Sequence, residues 1–391
     1  MAHHKANHVQ VAFAANAAAR RPVPGYGGNC RRLLGPGRKG AVVDNDPQPH
    51  TGSVTIYDVA TAASVAPSTV SRTFSRPGRV NAVTAERVRA AAASLGYRTS
   101  APARALPGTL SRLVAFVVSD VTNPFYGQLI RGAQETVARA GYTMVLADTH
   151  ESSQVERSSI ERAIAAVDGI ILAGSRMPDS AIRMIAKQKP VVVLNRAVTD
   201  VHSVVVDSPR GILRAATHLR ELGHNHITYV AGPEASWADG IRWRSLLDVA
   251  GQLGITARRI GPFRPTIAGG RLAAERFAGH PTTAAMAYND QLAIGLVRGL
   301  SRLGIQVPED VSVIGFDNVP ACKLVTPRLT TIAAPLRDEG VTAGRNLIAI
   351  IGGAQSRTGE PVVLPTRLVV RESTRPPGPR FERAESRRGE S

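Results

Sequence analysis

Residues 55 to 98 constrain the fold most, because they form a pattern of three short helices joined by a tight turn and a loop. Thr55 precedes the first helix, where its hydroxyl can cap the helix end, and Asp58 follows near the positive end of the helix dipole. The second helix begins at Pro67, a residue that has no N–H to lose in a first turn. The spacing therefore predicts helix, tight turn, helix, loop, helix.

The second helix of this segment has two different faces. Val70 and Phe74 are expected to point inward, and the outer side is polar and cationic near its start. Asn81 can cap the third helix, and Gly96 stands where a left-handed residue ends a helix. This is the geometry that places a recognition helix in the major groove of DNA. The alternative is an amphipathic three-helix element that packs within a larger domain.

The formal net charge of +18 favours a polyanionic partner, and nucleic acid is the expected one. A general arginine excess is the bland alternative, and both can contribute. Cys30 and Cys322 lie far apart in unrelated contexts, so we expect no disulfide framework, no metal site and no cofactor. No apolar run reaches transmembrane length, and we expect a cytoplasmic, nucleoid-associated protein with no membrane partner.

From Leu113 onward, short β-branched runs alternate with amphipathic helical segments. Such βαβα alternation predicts parallel sheets covered by helices on both faces. The alternation resumes after Asp207, which predicts two Rossmann-like halves, and PRLTTIAAP is expected to return the chain to the first half near residue 334. Ligands bind at the carboxyl ends of the strands in such sheets. The predicted fold is an N-terminal all-α headpiece followed by an α/β core of two subdomains.

Several motifs resemble those of the lactose-repressor/galactose-repressor (LacI/GalR) family of bacterial transcription regulators. In the headpiece they are TIYDVA, VAPSTVSR and LGYR, and in the core they include SDVTNPFYGQLIRGAQ, VVVLNRAV, MAYNDQLAIGL and VPEDVSVIGFDN. The resemblance covers residues 54 to 372. It implies a periplasmic-binding-protein-like core, a homodimer, pseudopalindromic operator DNA and a small effector, a sugar or sugar derivative.

The resemblance also implies roles for residues of the headpiece and the hinge. Pro67 and Ser68 occupy positions that vary with the operator, and Arg72 takes the place of an arginine that reads base edges, as its bidentate fork allows. Phosphate contacts are expected from a polar set: Thr55, Thr69, Ser71, Ser75 and Arg79. Leu106 takes the place of a leucine that wedges into the minor groove.

The headpiece and hinge also depart from the family pattern. Ser64 replaces the usual turn glycine, and Ala66 replaces the usual serine cap at a cost of about 1 kcal/mol. Pro102 and Pro107 limit any hinge helix to about one turn, so a plain flexible tether is the alternative.

Carried over by the same resemblance, the effector contacts are Asn123, Phe125, Asn195, Arg242, Asn289 and Asp317. Amides, carboxylates, a guanidinium and an aromatic face are also the groups that bind sugar hydroxyls and rings. Arg196, Trp237 and Asp290 are second candidates, although a structural role as the cap of the next helix is favoured for Asp290.

The remaining boundaries follow from composition. Residues 1–53 are expected to be a disordered basic extension, with a misassigned start codon or a DNA-touching arm as alternatives. Residues 54–98 form the headpiece, 99–111 the hinge, 112–372 the core and 373–391 a disordered tail.

The expected function is a DNA-binding regulator, a repressor controlled by a sugar-like effector, and not an enzyme. A protein effector, or none, is the first alternative, and a transporter solute-binding protein is the second. The sequence leaves open the effector, the operator and target genes, and whether the effector induces or co-represses.

Overall fold

The computed structural model describes residues 54–75, 78–97, 110–354 and 360–380. They divide into a small helical unit and a larger α/β unit, each of which is described by itself. The predicted N-terminal extension, Leu106 and most of the predicted hinge lie outside the described residues.

The helical unit contains α1 (Ile56–Ala62), α2 (Pro67–Ser75) and α3 (Ala82–Ser94). The start of α1 is fixed by Thr55, whose backbone N–H and hydroxyl donate to the Asp58 carboxylate at 2.6 and 2.7 Å. Such reciprocal capping pairs polar groups that a helix end leaves without partners, so the predicted cap is confirmed.

The other helix ends of this unit have equally local causes. Asn81 caps α3 by accepting a hydrogen bond from the Val83 N–H at 2.9 Å. Gly96 follows α3 with a φ of +64°, the left-handed conformation that ends many helices. Ser64, in the turn between α1 and α2, has a φ of +51°. That conformation costs a serine more than a glycine, so the turn forms under mild strain.

The core of the helical unit is small and aliphatic. Val59, Val70 and Val88 are fully buried, one from each helix. Phe74 is not, since it is 39% exposed and its ring lies 6.2 Å from the Tyr97 ring, centre to centre. The prediction that Phe74 points inward is wrong, because the residue lies in the last turn of a short helix at the edge of the core.

The α/β unit contains the remaining strands and helices. In chain order the strands are β1 (Leu113–Val118), β2 (Thr143–Asp148), β3 (Gly169–Ala173), β4 (Val191–Leu194), β5 (His202–Val206), β6 (His226–Val230), β7 (Thr256–Ile260), β8 (Ala284–Ala287), β9 (Ser312–Asp317), β10 (Thr330–Ala333), β11 (Val362–Leu364) and β12 (Arg367–Val369). The helices are α4 (Phe125–Arg139), α5 (Ser153–Ala163), α6 (Asp179–Ala186), α7 (Ser208–Glu221), α8 (Trp237–Leu253), α9 (Ile267–Ala278), α10 (Asp290–Arg302) and α11 (Leu336–Ile351), with a 3₁₀ turn at Pro320–Lys323.

Two six-stranded sheets organise this unit. The strand order is β11-β5-β4-β3-β1-β2 in the first sheet and β12-β10-β9-β8-β6-β7 in the second. The described pairings are parallel, apart from the antiparallel pair of β10 and β12. Central strands such as β3, β4 and β9 are buried along their whole length, as expected where helices cover both faces. The predicted fold class is confirmed.

The chain passes between the two halves three times. It leaves the first sheet after β5, returns between β10 and α11, and leaves again between β11 and β12. The sequence predicts two of these crossings but not the third, because three-residue strands are too short to show periodicity. At the third crossing, the Thr366 hydroxyl donates to the Asp207 carbonyl at 2.8 Å and so ties two of the connections together.

Helix α11 packs on the first half although it follows a strand of the second. Its partner is α4, and glycines allow the two helices to approach closely. A Cβ added to Gly340 would lie 2.1 Å from the Leu129 carbonyl oxygen, and one added to Gly132 would lie 2.1 Å from that of Arg337. Larger residues are therefore excluded at both positions, and the start of α11 is held at the junction of the halves.

The C-terminal segment packs on the second half as far as residue 380. Ser373 is fully buried, where its hydroxyl accepts from the Thr330 N–H at 2.8 Å and donates to the Val313 carbonyl at 2.6 Å. The buried His224 ring bonds the Arg375 carbonyl at 2.9 Å, and burial lowers the pKa of His224 to about 4. The prediction of a disordered tail from residue 373 is wrong for 373–380, because this segment satisfies buried backbone groups. Residues 381–391 lie outside the described part.

Removing the segment after residue 372 should destabilise the α/β unit. The Thr330 N–H and the Val313 N–H and carbonyl would lose their Ser373 partners inside the second half. We expect a loss of about 2–5 kcal/mol in the free energy of unfolding, measured by urea denaturation. A chain ending at residue 380 is the matched control and should unfold like the full chain. Equal stability of the two truncated chains would contradict the packing described.

Candidate functional site

The outer side of α2 carries the predicted DNA-reading residues. Ser68, Ser71 and Arg72 are exposed, and Pro67 and Thr69 are half-buried. Ala66 precedes the helix with no side-chain oxygen that could cap it, and only its carbonyl is used, accepting from the Thr69 N–H at 2.8 Å. The surface is therefore available for contact, but the helix start is less well capped than a serine would make it.

The residues predicted to contact phosphates differ in their exposure and in their hydrogen bonds. Arg79 is exposed, and the Ser75 side chain lies outside the described residues. The Thr55 hydroxyl donates its proton to Asp58. A hydroxyl has one proton, so Thr55 cannot donate to a phosphate without giving up this capping bond.

A cleft lies between the two halves at the carboxyl ends of their strands, where ligands bind in such folds. All six residues predicted as effector contacts line it, together with the second candidates Arg196 and Trp237. Further lining residues are not among those predicted from the sequence: Tyr126, Glu151, Ser175, Arg176, Ser236 and Tyr288. Ser175 and Arg176 come two and three residues after the end of β3, so the strand-end rule could have found them.

The first half contributes amides and one ion pair to the cleft. The Asn123 side-chain oxygen accepts from the Phe125 N–H at 3.1 Å, which shapes the loop before α4. Asn195 has a φ of +59°, and its side-chain N–H₂ has no hydrogen-bond partner among the described residues. The buried Arg176 donates to Glu151 at 2.7 Å. The free N–H₂ of Asn195 is thus a donor that a ligand can satisfy, and the Nε of Arg196 is a second donor without a hydrogen-bond partner among the described residues.

The second half is organised around the buried Arg242 guanidinium. It lies 3.5 Å from the centre of the Phe316 ring and 5.0 Å from that of Tyr288. It donates to the Tyr288 carbonyl and lies 3.7 Å from Asp317 Oδ1. Aromatic faces and a nearby carboxylate both stabilise a desolvated cation.

Asp317 is an incompletely paired carboxyl. It ends β9 with a φ of +112°, and its Oδ1 has no hydrogen-bond partner among the described residues. Burial raises the pKa of Asp317 well above its usual range although Arg242 acts in the opposite direction. At 3.7 Å without a hydrogen bond, the guanidinium compensates only part of the desolvation.

A second carboxyl without hydrogen-bond partners is that of Glu339, in the first turns of α11. Glu339 is fully buried, and neither of its carboxyl oxygens has a hydrogen-bond partner among the described residues. Burial, together with the nearby Asp317, raises the pKa of Glu339 to about 8, although Arg242 acts in the opposite direction. Two carboxyls thus share one guanidinium. No sequence pattern singled out Glu339.

Asn289 and Asp290 divide their roles differently from the prediction. Asn289 lines the cleft and is the cap of α10, since its side-chain oxygen accepts from the Leu292 N–H at 3.0 Å. The favoured role of Asp290 as that cap is wrong. Its carboxylate instead accepts from the Val319 N–H at 2.8 Å and the Thr331 hydroxyl at 2.6 Å. Asp290 is structural, but it joins the loop after β9 to β10 rather than capping a helix.

Two kinds of feature are absent from the described part of the chain. No three His, Cys, Asp or Glu side chains group there as metal ligands. None of the helices described is long and apolar enough to cross a membrane.

Comparison with known proteins gives matches over both units. Residues 55–100 match the family described as bacterial regulatory proteins, lacI family, and residues 216–374 match the periplasmic binding protein-like domain. The HTH-type transcriptional regulator DegA of Bacillus subtilis is 33% identical over 338 residues, which cover 82% of this chain and 98% of DegA.

Solved structures agree with these matches. The lac repressor dimer bound to operator and the anti-inducer ONPF is similar with a TM-score of 0.65 and 26% identity, over 83% of this chain and 100% of that one. A LacI family regulator from Enterococcus faecium with bound ribose gives a TM-score of 0.61 and 31% identity, over 68% of this chain and 99% of that one.

Proposed function

This chain belongs to the LacI family of bacterial regulatory proteins, and from that premise we propose a transcriptional repressor whose operator binding is controlled by a sugar-like effector. The observation that carries the proposal is the presence of two sites in one chain. One is a helix-turn-helix unit with Arg72 exposed, and the other is a cleft lined by polar residues of both halves. A DNA reader and a ligand receptor in one polypeptide are the parts that ligand-controlled regulation needs.

On the DNA side, α2 is the proposed recognition helix. Arg72 reads guanine through its bidentate fork, and Pro67 and Ser68 approach base edges. Thr69, Ser71, Ser75 and Arg79 contact phosphates, and Thr55 does so only if it releases Asp58. Because the lac repressor was solved as a dimer on operator, we assign this chain a homodimer and a pseudopalindromic site.

Leu106 is proposed as the residue that wedges into the minor groove of the operator. An apolar side chain between base pairs unstacks them and bends the duplex, which adds specificity through the deformability of the sequence.

On the ligand side, the cleft holds the groups that sugars require. Asn123, Asn195 and Asn289 offer amides, while Arg242 and Asp317 offer a donor fork and an acceptor. Phe125 adds an aromatic face. The Enterococcus faecium relative was solved with ribose, which supports a sugar or sugar derivative here.

Control follows from linkage between the two sites. A ligand changes DNA affinity only if it binds two conformations of the protein unequally. The halves are joined by three connections, so a ligand held by residues of both halves favours one relative arrangement. We propose that this arrangement sets DNA binding in the dimer, in the bacterial cytoplasm.

The alternatives have less support. A protein effector, or none, would leave the polar cleft without a use. A transporter solute-binding protein has no use for a helix-turn-helix unit. We propose no enzymatic activity, since the matched relatives are regulators and the cleft residues are described fully by binding roles.

Replacing Arg72 with alanine should weaken operator binding by about 1–3 kcal/mol per half-site and relax the preference at one base pair. The measurement is a titration of wild-type and variant protein against operator DNA selected from a random pool and against its single-base variants. Arg89→Ala is the matched control, since Arg89 is exposed on α3 beside Glu86 at 3.3 Å. An unchanged base preference in Arg72→Ala would contradict the reading role.

Replacing Arg242 with alanine should weaken sugar binding several-fold to a hundredfold, because Asp317 and Tyr288 would lose the guanidinium that orients them. The measurement is the shift in melting temperature of the full chain with a panel of mono- and disaccharides. Arg244→Ala, an exposed arginine of the same helix, is the control. Operator binding without ligand should persist in both variants. A panel that stabilises neither wild type nor control would contradict the sugar-effector proposal.

A further inference from the structure

Glu339 occupies a position at which the helix pattern calls for an apolar residue. Leu336, Ala343 and Leu347 lie on the same face of α11 and are buried in the core of the first half. Glu339 falls on that face at i+3 from Leu336 and is buried as completely. A carboxyl in this place without a hydrogen-bond partner costs stability that an apolar side chain would not.

The surroundings of Glu339 lie in both halves. Helix α11 packs on the first half, whereas Asp317 and Arg242 belong to the second. The two sides meet because β10 pairs with β9, with Ala333 opposite Asp317, and α11 begins three residues after Ala333. Asp317 lines the cleft, and Glu339 lies at the junction within electrostatic reach of Asp317 and Arg242. Glu339 is fully buried and is not among the residues that line the cleft, so a ligand in the cleft can contact it only if the two halves move apart.

The charges at this junction do not balance. Two other acidic residues at the cleft side of the first half are each held by an arginine, Glu151 by Arg176 and Asp179 by Arg196. Among the described residues, Arg242 is the cation that acts on both Asp317 and Glu339, and the buried carboxyl of Asp290 is a further acidic group beside Asp317. Three carboxyl oxygens, Asp317 Oδ1 and both oxygens of Glu339, have no hydrogen-bond partner among the described residues.

We propose that Glu339, with Asp317, determines specificity for an effector that is a sugar derivative carrying a protonated amine. This inference rests on the proposed function and names its ligand class. A primary ammonium has three N–H donors and one positive charge, which match three free acceptors and one missing charge. A neutral hydroxyl supplies a donor without the charge, and a phosphorylated sugar would add a further anion.

The protonation of Glu339 agrees with this assignment. Burial and the nearby Asp317 raise the pKa of Glu339 to about 8 against the effect of Arg242, so the carboxyl of the ligand-free protein holds a proton at pH 6.5. An ammonium that arrives beside it supplies the positive charge in place of that proton. Binding of an amine should then release a proton that binding of a neutral sugar does not release.

The test compares three sugar classes on the full-length protein at pH 6.5. The probes are glucosamine, galactosamine and mannosamine, their N-acetyl forms, and the parent hexoses. Thermal shift ranks them, and calorimetry in two buffers of different ionisation enthalpy counts the protons released. We expect at least one amine to raise the melting temperature while its uncharged counterparts bind at least tenfold more weakly.

Three variants assign the effect to Glu339. Glu339→Gln keeps the shape and removes the charge, and Glu339→Leu restores the apolar face of α11. Both should lose at least tenfold in amine affinity, and Glu339→Leu should also melt at a higher temperature without ligand. Asp338→Asn makes the same charge change at the neighbouring exposed position and should bind like the wild type.

The outcomes separate this inference from the function on which it rests. If neutral sugars stabilise the protein and the amines bind no better, the amine assignment is overturned and the sugar-controlled repressor stands. If no probe stabilises it, both are overturned. If an amine binds to the wild-type protein with the proton release described, that result supports the assignment. It does so even if a variant fails to fold.

Discussion

The buried guanidinium of Arg242 is the interaction on which the rest of the cleft depends. It reaches from α8 across the Phe316 ring to the Tyr288 carbonyl and to Asp317, and so links α8 to the ends of two strands of the second half, β8 and β9. A desolvated cation is stable only with its partners in place, so these groups order one another. Arg242 does not satisfy Asp317 Oδ1 or the two carboxyl oxygens of Glu339, which have no hydrogen-bond partner among the described residues.

The charged groups Glu339, Asp317 and Arg242 lie where the two halves of the α/β unit meet. Glu339 belongs to a helix of the first half, and Asp317 and Arg242 belong to the second. Any molecule that completes the set of charges therefore contacts both halves at the point where the chain crosses between them. Such a molecule binds more tightly at one separation of the halves than at another. This difference in affinity between two conformations is what allosteric control requires.

Sequence reasoning found much of this architecture, because parallel strands leave a strong signal and bring their carboxyl ends to one edge. The resemblance to a family supplied the predicted effector contacts, and all of them except Arg242 also lie at or just beyond predicted strand ends. Neither the strand-end rule nor the resemblance could identify Glu339, since it lies in a helix and acidic residues in helices are usually solvated. The third crossing and residues 373–380 were missed because their order comes from contacts distant in sequence, such as Ser373 with Thr330, which composition does not record.

The central claim, that the junction of Asp317, Glu339 and Arg242 lacks one positive charge, is tested most directly by titrating the Glu339 carboxyl. In ¹³C-labelled full-length protein, the carboxyl signal is assigned by its absence from Glu339→Gln and followed by NMR from pH 4 to pH 9. The structure predicts a pKa of Glu339 raised to about 8, since burial and Asp317 outweigh Arg242. The pKa should fall when an amine-bearing sugar is bound. A pKa near 4.3, the ordinary value for a solvated glutamate, would contradict the account.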